Sequence, residues 1–346
     1  MTYRGRCAIF VLIIPLILIS LISAPVLAHA PLAVGNHENL GSATTIPDPT
    51  KSWALYAELS EGEDVHYYRF DIREGERISV SLFTTTAPED ERFDPVLILM
   101  GPGITERDTV PPFIETVSNS GILVVRSSRA AVATFEGFSP SAFVDLARIS
   151  RVAPANGTYY LVVYGESGGG HYGLAIGNRE SFTLTEWMVM PFSLLSIYAW
   201  ERQNLLVILA PAFAVVILGA LLLRGRRKDS FPLDTAGRIS VAAGLLFLGT
   251  GATVFSQLVY ALSRSSPDPF IVVTIVLGIV PLMLGLVTLR LALHHSGRWT
   301  SRSRAGLLII AVLATVSWSG YLIGPVLALI AGIVPSFHLG LPDRKF

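Results

Sequence analysis

From Leu205 to Leu223 the chain carries no charged residue, and Arg224-Gly225-Arg226-Arg227-Lys228 comes directly after it. About 19 apolar residues at 1.5 Å each span roughly 30 Å, the thickness of a bilayer core. A basic run directly behind such a stretch is a stop-transfer signal and belongs in the cytoplasm. The N-terminal side of this stretch reads as an exported β domain, and the C-terminal side as membrane. The expected fold class is therefore an all-β, jelly-roll-like sandwich followed by an α-helical four-span transmembrane bundle.

The remaining composition agrees. Of 346 residues, 51% are hydrophobic and 15% charged, against about 25% charged in soluble domains. Net charge is zero, which gives no basis for nucleic-acid binding. The single cysteine, Cys7, lies in the leader, so the mature chain is expected to have no disulfide and no thiol nucleophile. An exported domain of about 150 residues is large enough to hold itself by its own core.

The leader has Arg4 and Arg6, an apolar run from Ala8 to Ile22, and Val26-Leu27-Ala28 as a cleavage site, the layout of a signal peptide over 1–28. An uncleaved anchor is the alternative. Cleavage after Ala28 makes His29 the first residue. Its α-amine and imidazole form a bidentate clamp for copper, with His37 and His66 as further ligands. The start HAPL is similar to that of secreted copper proteins with an N-terminal histidine. An incidental histidine in a flexible leader is the other reading. Residues 29–50 read as an exposed linker.

Strand-type alternation begins at Trp53. Trp53, Leu55, Ala57 and Leu59 share one face, as do His66, Tyr68 and Phe70, and then Ile78, Val80 and Leu82. Val96 to Met100 and Ile122 to Val125 are short apolar strands. Thr109 to Phe113 is a surface excursion, and Ala142 to Ile149 fits strand or helix. Thr158 to Tyr164 and Tyr172 to Ile176 are expected to pair through a flexible hairpin at Gly165 to Gly170.

Three segments carry a family resemblance: Asp64 to Phe70 with Gly75-Glu76-Arg77-Ile78; Phe93-Asp94-Pro95 leading into Val96 to Leu99; and Gly157 to Tyr164 with Gly170 to Leu174. Residues 51–178 resemble a bacterial or archaeal pre-peptidase C-terminal domain. That resemblance implies a secreted, non-catalytic β-sandwich accessory module. It places Asp94 at the family's usual aspartate, which organises a loop or helps bind calcium. The catalytic domain that accompanies such modules has no counterpart in this chain.

No HExxH or other metal motif is present, and Gly165-Glu166-Ser167-Gly168-Gly169, which has GxSxG spacing, lies between two expected strands rather than on the strand-to-helix elbow that nucleophile needs, so the expected protein is not an enzyme and needs no cofactor beyond the copper or calcium above. Tyr159, Tyr160, Tyr164 and Tyr172 could stack on a glycan. Asn156-Gly157-Thr158 fits an N-glycosylation acceptor.

Residues 181–202, bracketed by Trp187 and Trp200, read as an interfacial amphipathic helix on the outer leaflet. A long tilted first span from Phe192 is the alternative. Further spans are expected at Ile239 to Leu262, Phe270 to Leu289, and Ala305 to about Val334. Loops 224–238 and 290–304 hold the arginines and are placed in the cytoplasm. The N-terminal domain and the C-terminus are placed outside the cell. No span has an Asp, Glu, Lys or Arg in its hydrocarbon portion, unlike most ion-coupled carriers. The expected function is a non-catalytic membrane protein that displays the sandwich for protein or ligand binding and assembles with other membrane subunits. Its partners would be lipid, a membrane or extracellular protein, or a glycan. A transporter or channel component and a copper-handling protein are the alternatives.

Overall fold

The computed structural model of the chain describes residues 29–35, 37–60, 64–166, 168–226, 233–293 and 299–334. Residues 1–28, where a signal peptide is expected, Arg227 and Lys228 of the expected stop-transfer run, and the last residues from Pro335 lie outside the described residues. The described residues from 29 to 203, together with 261–268, form one compact unit. Residues 204–260 and 269–334 belong to a second.

The first unit is built from eleven strands in two sheets. They are β1 (Ala30–Pro31), β2 (Thr44–Thr45), β3 (Trp53–Leu59), β4 (Val65–Ile72), β5 (Arg77–Thr85), β6 (Pro95–Gly101), β7 (Gly121–Val125), β8 (Thr134–Glu136), β9 (Ser141–Val152), β10 (Gly157–Gly165) and β11 (Gly170–Ile176). One sheet has the order β1-β3-β11-β5-β9-β8, the other β2-β4-β10-β6-β7. Successive long strands therefore alternate between sheets, the path of a double Greek key.

Period-two alternation gives each sheet one apolar face, and these faces form a common core. Leu55, Val80, Leu82 and Leu174 come from the first sheet, and Tyr68, Phe70, Leu97, Leu99 and Leu161 from the second. Val96 to Met100 is apolar without alternation, and it is buried on both faces. Its outward residues Val96, Ile98 and Met100 join Tyr67, Val162 and Ile114 in a second cluster. The excursion after Thr109 is what covers this face. Tyr67 Oη accepts from the Glu115 amide at 2.8 Å. The ambiguous stretch at 142–149 is the centre of strand β9. One glycine is required by close approach: a Cβ on Gly121 would lie 2.0 Å from the Ile104 carbonyl oxygen.

Two expectations about this unit need correction. The stretch 29–50 is not an exposed linker. Ala30–Pro31 pairs parallel to β3 and Thr44–Thr45 parallel to β4, and Ala30, Ala43 and Ile46 are buried. These short segments supply backbone partners to the edge of each sheet, a role that composition alone does not reveal. The glycine-rich link at 165–170 is also not a hairpin. β10 pairs with β4 and β6, whereas β11 pairs with β3 and β5. The link crosses from one sheet to the other.

Helix α1 (Leu184–Trp200) closes the first unit. Thr183 and Glu186 form a reciprocal capping box at its start. Met190, Pro191, Ile197 and Tyr198 are buried, while Leu184, Val189 and Phe192 are exposed. The helix ends at Trp200 and the next begins at Leu205, so no continuous span starts at Phe192. Arg202, with φ +60°, makes the turn.

The second unit is helical: α2 (Leu205–Arg226), α3 (Thr235–Leu262), α4 (Ile271–Leu293), α5 (Ser301–Val316) and α6 (Ile323–Ile333). Three of these, α2, α3 and α4, are long and apolar enough to cross a membrane. The expected fourth span needs correction. It is broken at 317–322, where Trp318, Gly320, Tyr321 and Leu322 all have positive φ. Continuous hydrophobicity from Ala305 to Val334 hides the break, because both arms are apolar and no charge marks the turn. α3 and α4 cross closely through small residues: a Cβ on Gly251 would meet the Gly278 carbonyl oxygen at 2.9 Å.

Candidate functional site

Two buried polar clusters stand out in the β unit, and strand register explains the first. β4 and β11 lie in opposite sheets, and their inward tyrosines meet across the core. Tyr68 Oη and Tyr172 Oη are 2.5 Å apart, and both residues are fully buried. Tyr172 Oη is also 2.7 Å from His66 Nδ1. His66 Nε2 in turn faces Asp64 Oδ1 at 3.5 Å. One assignment satisfies every group: Tyr68 donates to Tyr172, Tyr172 to His66 Nδ1, and His66 Nε2–H points to Asp64. Burial, and then the neighbouring His37, push the His66 pKa down to about 4 against the pull of Asp64. Burial also pushes both tyrosines up. The cluster is neutral at the imidazole and phenols near pH 7, with a single carboxylate at its outer end.

His37 joins this cluster from the segment before β2. Its ring centroid is 3.9 Å from that of His66, edge to face. Its Nδ1 bonds the Gly35 carbonyl. Its Nε2 is buried without a hydrogen-bond partner among the described residues. The structure thus brings together His37 and His66 of the residues singled out in the sequence. It does not bring in His29, which precedes β1 at the Trp53 end of β3, whereas Tyr172 pairs with Ala57 nearer the other end. Burial lowers the His29 pKa. Asp94 is exposed at the start of β6. Among the described residues, no group of three or more His, Cys, Asp or Glu could hold a metal ion.

Replacing Tyr172 with Phe removes the central hydroxyl and leaves His66 Nδ1 and Tyr68 Oη without their buried partner. A loss of about 1–3 kcal/mol of stability is expected, read as a lower midpoint in denaturant. An unchanged midpoint would mean that water replaces the hydroxyl at no cost.

The second cluster is where α1 ends, and its residues carry no motif in the sequence. Asp90 is fully buried. Its carboxylate accepts from Arg202 Nε and Nη2 at 3.2 and 3.0 Å, from Thr85 Oγ1 at 2.5 Å and from the His171 amide at 3.1 Å. Burial opposes its ionisation, but His171, Arg202 and Thr85 outweigh that and hold its pKa well below the usual carboxylate range. Glu201 is 4% exposed. It accepts from the Ala142 amide at 2.9 Å and Gln203 Nε2 at 2.8 Å. Burial raises its pKa to about 7, with the Glu136 charge adding to the rise and Ala142, Gln203 and Arg264 opposing it. Burial also raises Glu136. Trp200 Nε1 donates to the Ala57 carbonyl at 3.2 Å and its ring meets Tyr56 and Phe83. At the other end of α1, Lys51 Nζ bonds Glu186 at 2.6 and 2.8 Å. Trp200-Glu201-Arg202 thus bolts α1 to the sandwich.

No protein-family model matches the chain, and no curated protein matches it. The solved structures similar to this chain include the following two. One is the pre-peptidase C-terminal domain of a collagenase from Bacillus anthracis. It is 16% identical over 41% of this chain and 99% of that one, with a TM-score of 0.24. The other is CorA, a surface-associated copper-binding protein of Methylomicrobium album BG8. It is 12% identical over 40% of this chain and 98% of that one, with a TM-score of 0.22. The β region has a distant likeness in fold to a pre-peptidase C-terminal sandwich.

Proposed function

We propose that this chain is a non-catalytic integral membrane protein that displays its jelly-roll-like sandwich outside the cell for protein or ligand binding, and whose helices assemble with other membrane subunits. The observation that supports this reading is α2. It is apolar over almost its whole length, and very little of it is buried against the rest of the chain. Leu206, Val207, Leu218 and Leu222 are all more than half exposed. A 22-residue helix with so little of its own protein against it needs lipid or a partner helix. The exposed apolar side of α1 suits the outer leaflet, and the arginines of loops 224–238 and 290–304 suit the cytoplasm.

Protease added to intact cells should remove the β region and leave a membrane-bound helical fragment. Native mass spectrometry of the protein in mild detergent should show a stoichiometric second polypeptide or a further copy. Extraction by alkaline carbonate would overturn the membrane reading. A strictly monomeric, partner-free protein would overturn the assembly reading.

The Nε2 of His37, partnerless among the described residues, favours a second reading, copper handling, in which His66 is a neighbour and not a ligand while Tyr172 and Asp64 hold its two ring nitrogens. Copper(I) titrated into the purified protein should then bind one equivalent that His37→Ala abolishes. Binding unaltered in that variant, or absent from the parent, removes this reading.

A further inference from the structure

The two short helices α5 and α6 are antiparallel arms of a hairpin. Arg304, in the first turn of α5, donates through Nη1 to the carbonyls of Gly332, Ile333 and Val334 at 3.5, 3.3 and 2.9 Å. Ala331 near the end of α6 packs with Leu307 of α5, with Trp299 and with Ala236 at the start of α3. Both open ends of the hairpin therefore lie beside the beginning of α3.

The closed end lies elsewhere. The Gly320 amide donates to Thr250 Oγ1 at 2.7 Å, and a Cβ on Gly324 would strike the Phe247 ring. Thr250 is 15 residues from the start of α3 and 12 from its end. At 1.5 Å per residue that is about 22 and 18 Å. If α3 spans the bilayer, as the proposed function holds, the tip sits near mid-depth. Irregular backbone at that depth is tolerated only inside protein or against water.

The tip is polar and strained. Trp318, Tyr321 and Leu322 have φ of 52°, 51° and 65°, a conformation that costs non-glycine residues about 1–2 kcal/mol each. Ser317, Ser319, Thr250 and Thr253 are buried around it. Thr250, Thr315 and Ser317 return their hydroxyl protons to the carbonyl four residues back, and Ser319 Oγ is 2.8 Å from Ser317 Oγ. Thr253 does not follow that pattern. It lies one turn beyond Thr250 on α3. Its Oγ1 is buried without a hydrogen bond of ordinary geometry, and the Tyr321 phenol is its polar neighbour. The start of α6 is closed by backbone instead of a side chain: the Gly324 amide donates to the Gly320 carbonyl at 2.9 Å, the Val326 amide to that of Leu322 at 3.3 Å, and Pro325 has no N–H.

At the tip the carbonyl end of α5 meets the amide end of α6. The two dipoles oppose one another, so neither sign of charge is favoured. No Asp, Glu, Lys or Arg lies in 239–262 or 305–334 to balance a guest ion. We propose that residues 301–334 form a re-entrant hairpin, entering and leaving on one membrane face, whose tip binds a small uncharged solute with both donor and acceptor groups, water or a short polyol, against Thr253 and Ser319.

Single cysteines test this in the full chain. Cys7 is the only cysteine, so Cys7→Ser supplies a clean background. In vesicles of one orientation, an impermeant maleimide should label Ser301→Cys and Val334→Cys from the same side. N-ethylmaleimide should label Ser319→Cys and Thr253→Cys about tenfold faster than the exposed apolar position Val259→Cys, because thiolate forms only where water reaches. Glycerol, as the probe solute, should slow labelling at 253 more than sucrose of equal osmolality does. Labelling of 301 and 334 from opposite sides overturns the hairpin. Unreactive cysteines at both 253 and 319 overturn the polar site, and equal slowing by glycerol and sucrose overturns solute binding. Failure of the membrane reading itself is distinguishable, since Val259→Cys would then react as fast as Ser301→Cys.

Discussion

Asp90→Ala should destabilise the β unit by about 3 kcal/mol, near the lower end of the cost of breaking a buried ion pair. For a unit of this size that is a fall in midpoint temperature of about 6–12 °C. The cost has two sources. Thr85 Oγ1 and the His171 amide lose a buried acceptor. Arg202, whose side chain is 31% exposed, loses its bidentate partner but recovers some hydration, which keeps the value near the lower bound. Differential scanning of the detergent-solubilised full chain would measure it. Arg202→Lys should fall between variant and parent, since it keeps the charge and loses the planar fork. A midpoint within about 1–2 °C of the parent in Asp90→Ala, a change under about 0.5 kcal/mol, would show that the cluster does not hold α1.

The same residues explain how much of the site is legible in the sequence. Alternation reveals which side chains face inward, so Tyr68 and Tyr172 can be placed in the core from sequence. It does not reveal which inward residue meets which across two sheets. The Tyr68–Tyr172–His66 chain depends on the crossing of β10 to β11, and a glycine-rich link between two strands reads as a hairpin instead. The Asp90 cluster is hidden for a different reason. Ala87 to Arg92 reads as a charged loop, and charged loops are usually solvated. Asp90 is buried because a helix more than ninety residues later in the chain brings Arg202 to it. The trio of histidines fails in the opposite direction: His37 and His66 converge and His29 does not. In the membrane part, length and charge locate three helices well. Hydropathy cannot separate one long apolar crossing from two short apolar arms, since Ser317 to Leu322 is too short and too mildly polar to show.

Glu201→Gln should flatten a pH dependence that the parent shows between about pH 4.5 and 7. The folded pKa of Glu201 is raised to about 7, whereas the unfolded value is near 4.5. The folded state therefore holds the proton more tightly than the unfolded one across that window. Its contribution to stability is fully present below the unfolded value, declines as pH rises, and is lost above about pH 7. The gap between 4.5 and about 7 corresponds to roughly 3 kcal/mol. Glutamine has no proton to lose and can still accept from the Ala142 amide. At pH 8 the variant should be the more stable protein by up to about 3 kcal/mol, less the charge-assisted part of that hydrogen bond. At pH 4.5 the two should be close. Asp90 gives the opposite slope, since its lowered pKa withdraws stability as pH falls below its unfolded value, but it is common to both proteins and cancels in the difference. Parallel midpoint curves for parent and variant from pH 4.5 to 8 would show that Glu201 is charged and solvated throughout. A steeper curve in the variant would place the titration on Glu136 instead.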